Sequence, residues 1–350
     1  MPANTPDLAP LSNASPGAAG QLSSGLALAG LTAASFALSG PLATRLIAAG
    51  WSPTAAVVAR IALAAALLIA PALRLLHGRW DELRRYGVDI VAYGMVAVAG
   101  TQLAYFVAVS RLPVATALLV EFLAPVVVLG WFWAARGQRP SGRTMVGGAL
   151  AIAGLVPVLG VGATGDDGLD PVGIGCALLA MCGLAYYFVV SSADKPGLPP
   201  MVLACGGLVV GSLTLALVAG VGVLPLATST TSPVYAGTAL PWWLAVTLLG
   251  VVTAALAYST GIAAARRLGG RLASFVALSE VVLAALFAAL LLGQQPSWGQ
   301  VVGGTIILGG IVLVKLGETP AHHDAGPGIG TRDDSAVVPP DTGTDLPVGS

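Results

Sequence analysis

Charged residues are scarce in this chain. Only 9% of its 350 residues are charged and 56% are apolar, whereas about 25% of residues are charged in an average soluble domain. A soluble protein of this length needs many charges to cover its surface, so the composition argues against one. Because a lipid bilayer removes that need, the sequence predicts an all-α membrane protein. With a net charge of zero, no nucleic-acid partner is expected.

Histidine and cysteine are scarce as well. The three histidines lie outside the long apolar segments, whereas Cys176, Cys182 and Cys205 lie inside them without zinc-binding spacing. We therefore expect cysteines that pack between helices, and neither metal nor cofactor. An intramembrane enzyme would need clustered aspartates, or serine with histidine, within the apolar segments. The apolar segments hold neither combination, so no enzyme is expected. Nothing in the sequence resembles a nucleotide-binding loop, so direct use of ATP is not expected either.

Long apolar segments account for most of the chain. Each is close to or above the ~20 residues that cross a bilayer core. The ten predicted spans are residues 24–48, 53–76, 88–110, 112–135, 144–162, 172–191, 200–221, 241–264, 272–293 and 297–316. The sequence therefore predicts ten transmembrane helices.

The two ends of the chain differ from this apolar region. Residues 1–22 contain no Lys or Arg, and a secretory signal needs a positive segment before its apolar core, so the first span is predicted to be retained. Residues 317–350 are rich in Gly, Pro, Asp and Thr, with six acidic residues against one Arg. Both ends are predicted to be disordered, because such compositions cannot bury enough apolar surface.

The basic residues of the loops are distributed unevenly between the two predicted sides. Arg45 and Arg111 lie on one side, and twelve Lys or Arg residues lie on the other. The twelve are Arg74, Arg79, Arg84, Arg85, Arg136, Arg139, Arg143, Lys195, Arg266, Arg267, Arg271 and Lys315. Because loops rich in Lys and Arg stay in the cytoplasm, both termini are predicted to be cytoplasmic.

Two halves of the apolar region share a pattern at a constant spacing of 156 residues. Gly-Gln-Arg-Pro-Ser at 137–141 matches Gly-Gln-Gln-Pro-Ser at 293–297. The same spacing aligns Val146-Gly147-Gly148 with Val302-Gly303-Gly304, Gly154 with Gly310, and Arg111-Leu112 with Arg267-Leu268. The sequence therefore predicts two five-helix repeats, residues 23–162 and 163–316. Because five is odd, the second repeat would cross the membrane in the opposite direction, as is recurrent in transporters.

Three ionisable residues, Arg60, Glu121 and Glu280, fall deep inside predicted spans. A charge there costs roughly 3 kcal/mol on insertion scales, so such residues normally face the protein interior. Arg60 and Glu121 lie at similar depths and can meet as an ion pair, whose role is either structural or functional. Glu280 has no basic residue at its depth. We interpret it as a substrate or proton site, the alternative being a neutral carboxyl group bonded to a neighbouring helix.

Other polar side chains in the spans are candidates for contact with a solute. Taken singly, each is better explained by a hydrogen bond between helices. Taken together, they occur on equivalent helices of the two halves and are predicted to line a pathway. They are Gln102, Tyr105, Tyr186, Tyr187, Tyr258, Ser259 and Ser279.

These features resemble the drug/metabolite transporter superfamily, in its ten-helix form with two EamA domains, over about residues 24–316. The run that begins at Arg60 is similar to the arginine-led second helix of an EamA repeat, and the two Gly-Gln-x-Pro-Ser linkers, each followed by a Gly-Gly helix, are similar to its most recognisable part. Residues 121–125 (Glu-Phe-Leu-Ala-Pro) and 278–280 (Leu-Ser-Glu) resemble segments of threonine/homoserine exporters. Val281 stands where the second of these segments has proline.

The resemblance implies a secondary transporter of the bacterial inner membrane that exports small metabolites such as amino acids. It places Glu121 and Glu280 centrally in the pathway. The expected partners are a small solute, the lipid bilayer and, as coupling ion, protons; a homodimer is one assembly that the sequence allows. The alternatives are a carrier of drugs or other metabolites with the same fold, and a membrane scaffold or sensor that transports nothing.

Overall fold

The computed structural model of the chain describes residues 16–137, 140–158, 170–192 and 195–317. Most of the two predicted disordered ends lies outside these residues, as do Gln138 and Arg139 of the first repeated linker. The exceptions are residues 16–22 and Gly317, which are helical. The first helix begins at Pro16 because proline is well suited to a first helical position and an alanine-rich segment follows it.

Helices account for almost all of the described structure in the first half of the chain. They are α1 (Pro16–Ala37), α2 (Ser39–Ala48), α3 (Pro53–Leu76), α4 (Trp80–Arg85), α5 (Gly87–Ala92), a first π-helical segment (Tyr93–Gly100), α6 (Thr101–Val109), α7 (Val114–Glu121), α8 (Ala124–Arg136) and α9 (Gly142–Val158).

The second half contains helices and one small hairpin. Its elements are α10 (Pro171–Ser192), α11 (Pro200–Gly220), strands β1 (Val234–Tyr235) and β2 (Thr238–Ala239), α12 (Trp242–Gly250), a second π-helical segment (Val251–Leu256), α13 (Ala257–Ala277), α14 (Ser279–Leu292) and α15 (Trp298–Gly317).

Eight helical stretches of the described residues are long and apolar enough to cross a bilayer. They are Gln21–Ala48, Pro53–Leu76, Gly87–Val109, Val114–Trp131, Pro171–Val190, Pro200–Gly220, Trp242–Leu268 and Trp298–Gly317. Two further apolar helices, α9 and α14, are shorter, with 17 and 14 residues. The predicted all-α membrane architecture is confirmed, whereas the count of ten spans stays a prediction.

The boundary between the predicted eighth and ninth spans differs from the prediction. A turn was expected between residues 264 and 272, but α13 is helical from Ala257 to Ala277 and the helix break falls at Leu278. Apart from a Gly-Gly pair, this stretch contains no residue that ends a helix, which explains its continuity. Helix α14 is shorter than the predicted ninth span for this reason.

Several predicted spans are interrupted. The first breaks at Leu38, between α1 and α2, and the fourth at Phe122 and Leu123, between α7 and α8. The π-helical segments interrupt the third and eighth spans, and the 156-residue spacing places the first segment on residues 249–256, which include the second. Single π turns often occur at functional sites, because they disturb the regular backbone hydrogen bonds.

Glycine permits close backbone packing between helices α9 and α15. A Cβ atom on Gly310 would lie 2.5 Å from the Gly147 carbonyl oxygen, and one on Gly303 would lie 2.5 Å from the Gly154 carbonyl oxygen. Small residues allow two backbones to approach this closely in membrane proteins. The 156-residue spacing maps Gly147 on Gly303 and Gly154 on Gly310, so it converts each of these contacts into the other.

The segment that contains the hairpin is hydrogen-bonded to α2, α14 and the residues before α3 at the predicted outer side. Its turn, Ala236-Gly237, has positive φ angles of 47° and 80°, as tight two-residue hairpins require. The Tyr235 hydroxyl donates to the Leu42 carbonyl oxygen (2.9 Å), and the Ala236 N–H donates to that of Leu291 (3.1 Å). The Trp51 indole N–H donates to the Ser229 carbonyl oxygen (2.8 Å). The segment before α12 is therefore fixed to α2, α14 and the start of α3.

An ion pair joins the end of α6 to the start of α10. Asp170 accepts a hydrogen bond from Arg111 at 2.9 Å and two from the backbone N–H groups of Gly173 and Val172, at 3.1 and 2.7 Å. The hydrogen bond from the Gly173 N–H, followed by the one from Arg111, holds the pKa of Asp170 below its ordinary value. The carboxylate thus stabilises the first turn of α10 in its ionised form.

We expect Gly310→Ala to destabilise the protein by roughly 1–3 kcal/mol, because the added methyl group meets backbone atoms that cannot move aside. Gly309→Ala in the same helix is the matched control. A Cβ there has no neighbour within 4 Å, so the higher helix propensity of alanine should leave stability unchanged or raise it by up to about 1 kcal/mol. Unfolding of the detergent-purified variants measures both, and equal stability of the two would contradict the packing described.

We expect the stability contributed by the Asp170 charge to be lost in acid. Because folding lowers the pKa of this group, its contribution is complete above the unfolded pKa of about 3.9 and disappears as the pH falls through the folded value. Asp170→Asn keeps an oxygen that can cap α10 but removes the charge. The difference in melting temperature between wild type and variant should therefore shrink from neutral pH to below about pH 4. A constant difference would show that the charge has no role.

Candidate functional site

Arg60 lies at the centre of the molecule and its side chain is only 2% exposed. It follows Pro53, the first residue of α3, by two helical turns, which places it about 10 Å from that end. Its guanidinium group donates to the Gln102 side-chain oxygen and to the Thr253 carbonyl oxygen (2.8 Å). It also lies 5.5 Å from the centre of the Phe106 ring, a favourable cation–π distance. One arginine thus joins α3 to the third and eighth predicted spans.

The partners of Arg60 lie in or close to the two π-helical segments. Thr253 lies within the second segment, and Gln102 follows the end of the first by two residues. A π turn shifts hydrogen bonding from four residues to five, which can release a carbonyl group from the regular ladder. The Thr253 carbonyl accepts from Arg60 at such a position. The local irregularity therefore provides an acceptor for a charge within an apolar helix bundle.

The predicted Arg60–Glu121 ion pair is not formed. In the described part of the chain, ion pairs within 4 Å join Arg111 to Asp170 and Lys195 to Asp89. Arg60 instead bonds to two neutral oxygens, the side-chain oxygen of Gln102 and the carbonyl oxygen of Thr253. The prediction was wrong because it considered side chains of opposite charge and did not consider a backbone carbonyl as partner.

Both carboxyl groups lie beside helix breaks. Glu121 is the last residue of α7, and Glu280 is in the first turn of α14, where the positive end of the helix dipole favours a negative charge. Each side chain lies within the protein, yet each is only half-buried, so part of its surface remains accessible. They interact electrostatically with each other and with Arg60.

Two tyrosines complete the group. Tyr105 is buried next to Gly40, and Tyr258 is half-buried, with its ring edge-to-face against Phe36 at 5.4 Å between ring centres. Both interact electrostatically with Arg60 and the two glutamates. We call the following six residues the central cluster: Arg60, Gln102, Tyr105, Glu121, Tyr258 and Glu280. They come from α3, α6, α7, α13 and α14, and thus from both predicted repeats.

The remaining predicted lining residues have other roles or weaker links to the cluster. The Ser279 hydroxyl donates to the Val276 carbonyl oxygen (2.6 Å) and that of Ser259 to the Ala255 carbonyl oxygen (2.7 Å), so the backbone just before each serine satisfies its hydroxyl group. Tyr187 interacts electrostatically with Tyr258, and its ring lies 5.8 Å from that of Tyr93. Tyr186 is half-buried on the same helix.

Sequence reasoning missed Phe106, Phe36 and the Thr253 carbonyl group. Phe106 follows Gln102 by four residues, so both lie on one helix face, and this spacing was a usable signal. Phe36 and Thr253 have no comparable signal in the sequence, because apolar residues are common in every span and a backbone carbonyl belongs to every residue.

Hydrogen-bonding and aromatic side chains surround the two carboxyl groups of the cluster. Within the described residues, no group of three or more His, Cys, Asp or Glu side chains could hold a metal ion. The cluster instead combines hydrogen-bonding groups, aromatic rings and carboxyl groups. Such a mixture can bind a small polar solute.

Comparison with known proteins identifies one family. The sequence matches the EamA-like transporter family over residues 23–160 and again over residues 171–316. It is 24% identical over 242 residues to the uncharacterized inner membrane transporter YicL of Salmonella typhimurium, covering 67% of this chain and 74% of that protein. A crystal structure of a protein that is 24% identical superposes with a TM-score of 0.55, covering 83% of this chain and 96% of the other, and supports the same fold.

We expect Arg60→Lys to destabilise the protein by about 1–3 kcal/mol. Lysine keeps the charge but lacks the planar fork that reaches Gln102 and Thr253 together, so one buried acceptor loses its partner. Arg74→Lys, near the other end of the same helix, is the control; this arginine is exposed, and the change should stay within about 0.5 kcal/mol. Denaturant or thermal unfolding in detergent measures both. Equal effects would contradict the structural role of Arg60.

Proposed function

Because the chain belongs to the EamA-like transporter family, within the drug/metabolite transporter superfamily, it is a multi-pass inner membrane transporter, and we propose that it is a secondary active carrier. Its proposed cargo is a small metabolite such as an amino acid, which it exports by alternating access between two inverted repeats. Both termini are proposed to lie in the cytoplasm.

The observation that carries this proposal is the position of the central cluster. Its two carboxyl groups, its guanidinium group and its tyrosines lie inside an apolar helix bundle and come from both halves of the chain. Ionisable residues are costly in a membrane interior and are retained mainly along substrate and ion pathways. Carriers with two repeats bind their solute where the repeats meet.

Equivalent contacts in the two halves support the inverted repeats. The 156-residue spacing exchanges the two glycine contacts between α9 and α15, whose residue pairing runs antiparallel. A second pair of contacts is related through one partner. Gly173 packs against Leu112, and Gly25 packs against Leu268, which the 156-residue spacing equates with Leu112. Similar contact sites in the two halves would give a carrier two related conformations.

The helix breaks support a moving pathway. The breaks at Phe122–Leu123 and at Leu278 lie next to Glu121 and Glu280, and interrupted helices flank the binding sites of many carriers. A break allows one half of a span to tilt without unfolding the other half. Alternating access needs movements of this kind near the solute.

Glu280 is our proposed site for coupling to protons. No ion pair within 4 Å involves it among the described residues, and it interacts electrostatically with the other carboxyl group of the cluster. A carboxyl group without a permanent cation as partner can take up and release a proton during each transport cycle. This role would couple solute export to proton entry.

We expect Glu280→Gln to abolish gradient-driven transport in a protein that still folds and inserts. The measurement is flux of labelled amino acids in proteoliposomes, with and without an imposed pH gradient. Asp81→Asn is the control, because this exposed carboxyl group lies in the short helix α4, away from the cluster. Normal gradient-driven flux in Glu280→Gln would rule out its role. Absence of flux for every amino acid in wild type would redirect the search to drugs and other metabolites, and absence there too would favour a scaffold or sensor.

A further inference from the structure

The charged groups of the central cluster differ in their access to a solute. Arg60 is 2% exposed, whereas Glu121 and Glu280 are half-buried. Of the three ionisable residues, the two acidic ones therefore present part of their surface, whereas the arginine presents almost none. The ionisable residues that a solute can approach in this site are acidic.

Arg60 cannot be released cheaply to bind a solute. Its two terminal nitrogens are bonded to Gln102 and Thr253, and Phe106 covers one side of the group. Its Nε atom is buried and has no hydrogen-bond partner among the described residues. Because Arg60 is only 2% exposed, a carboxylate could reach its remaining N–H groups only if the arginine moved, and that movement would leave the Gln102 and Thr253 acceptors unpaired. Arg60 is therefore a positioning residue.

The accessible aromatic surface favours a positive charge as well. Phe36 and Tyr258 are both half-buried and lie edge-to-face, and Tyr258 belongs to the cluster, so this ring pair adds aromatic surface beside the carboxyl groups. Ring faces carry partial negative charge and attract ammonium groups, most strongly where water is excluded. Gln102 is also half-buried and adds a neutral amide. Apart from the amide N–H of Gln102, the carboxyl groups and aromatic rings are therefore groups that attract a cation.

We propose that the central cluster recognises the ammonium group of amine-bearing solutes, and that it recognises an amino acid by its amino group and not by its carboxylate. With Arg60 and both glutamates ionised, the cluster carries one excess negative charge, which one ammonium group neutralises. Glu121 and Glu280 contact the ammonium group, and the Phe36–Tyr258 pair contacts the adjoining apolar part. The inference rests on the proposed function, because it concerns the same site.

Three probes that share a phenyl ring on a two-carbon chain test this inference: phenethylamine, 3-phenylpropionate and phenylalanine, which carry the amine, the carboxylate, and both. Each is titrated into the purified full-length protein at neutral pH, with binding followed by calorimetry. Phenethylamine and phenylalanine are expected to bind, and 3-phenylpropionate to bind at least about tenfold more weakly. This comparison uses the wild-type protein alone, so it does not depend on the folding of any variant.

Substitutions then locate the amine. Glu121→Gln and Glu280→Gln should each weaken phenethylamine binding by about tenfold or more, because each removes a buried charge from the contact. Asp170→Asn removes a carboxylate at the end of α10 and should leave binding unchanged. The inference is overturned if 3-phenylpropionate binds as tightly as phenethylamine, if neither glutamine variant weakens phenethylamine binding, or if phenethylamine does not bind.

Flux measurements separate this inference from the carrier proposal. Selective amine binding without flux of any solute would remove the carrier and leave the amine site standing. Flux of solutes that carry a carboxylate but no amine would support the carrier and overturn the amine site.

Discussion

The burial of one guanidinium group within an apolar helix bundle is the constraint on which the rest of the interior depends. A charged side chain in a membrane interior needs hydrogen-bond partners that lipid cannot supply. Arg60 obtains them from Gln102 and from the Thr253 carbonyl. Meeting this need brings α3 against the third and eighth spans, and both spans contain a π-helical segment at that level. The π-helical segment that contains Thr253 thus provides a carbonyl group that solvates the Arg60 charge.

Neutral partners for Arg60 have a consequence for the two carboxyl groups. A direct ion pair with Glu121 would have compensated both charges and left less for a solute to bind. Because dipoles satisfy the arginine instead, Glu121 and Glu280 stay partly accessible, while the nearby positive charge still offsets part of their mutual repulsion. The same arrangement lowers the electrostatic cost of the empty site and is consistent with the cation binding proposed for it.

Much of this site could be predicted from the sequence, because the free-energy cost of a charge in the membrane keeps such residues rare. Arg60, Glu121 and Glu280 are conspicuous because charge is rare in apolar segments, and the structure brings all three together with Gln102, Tyr105 and Tyr258. Their mutual contacts could not be predicted in the same way. The partner of Arg60 depends on where a helix changes its hydrogen bonding, and the break at Leu278 depends on tertiary packing, since no proline marks it.

The helices divide into two groups by their irregularity. Helices α9 and α15 contact each other through glycine backbones and contribute nothing to the central cluster, and each is unbroken over its described length. All the breaks and π-helical segments named above occur in spans that flank or supply the cluster. Backbone contacts between small residues tolerate little displacement, because no flexible side chain can adjust between them. In the proposed transport cycle the glycine-paired helices are therefore the fixed element, and the interrupted spans move against them.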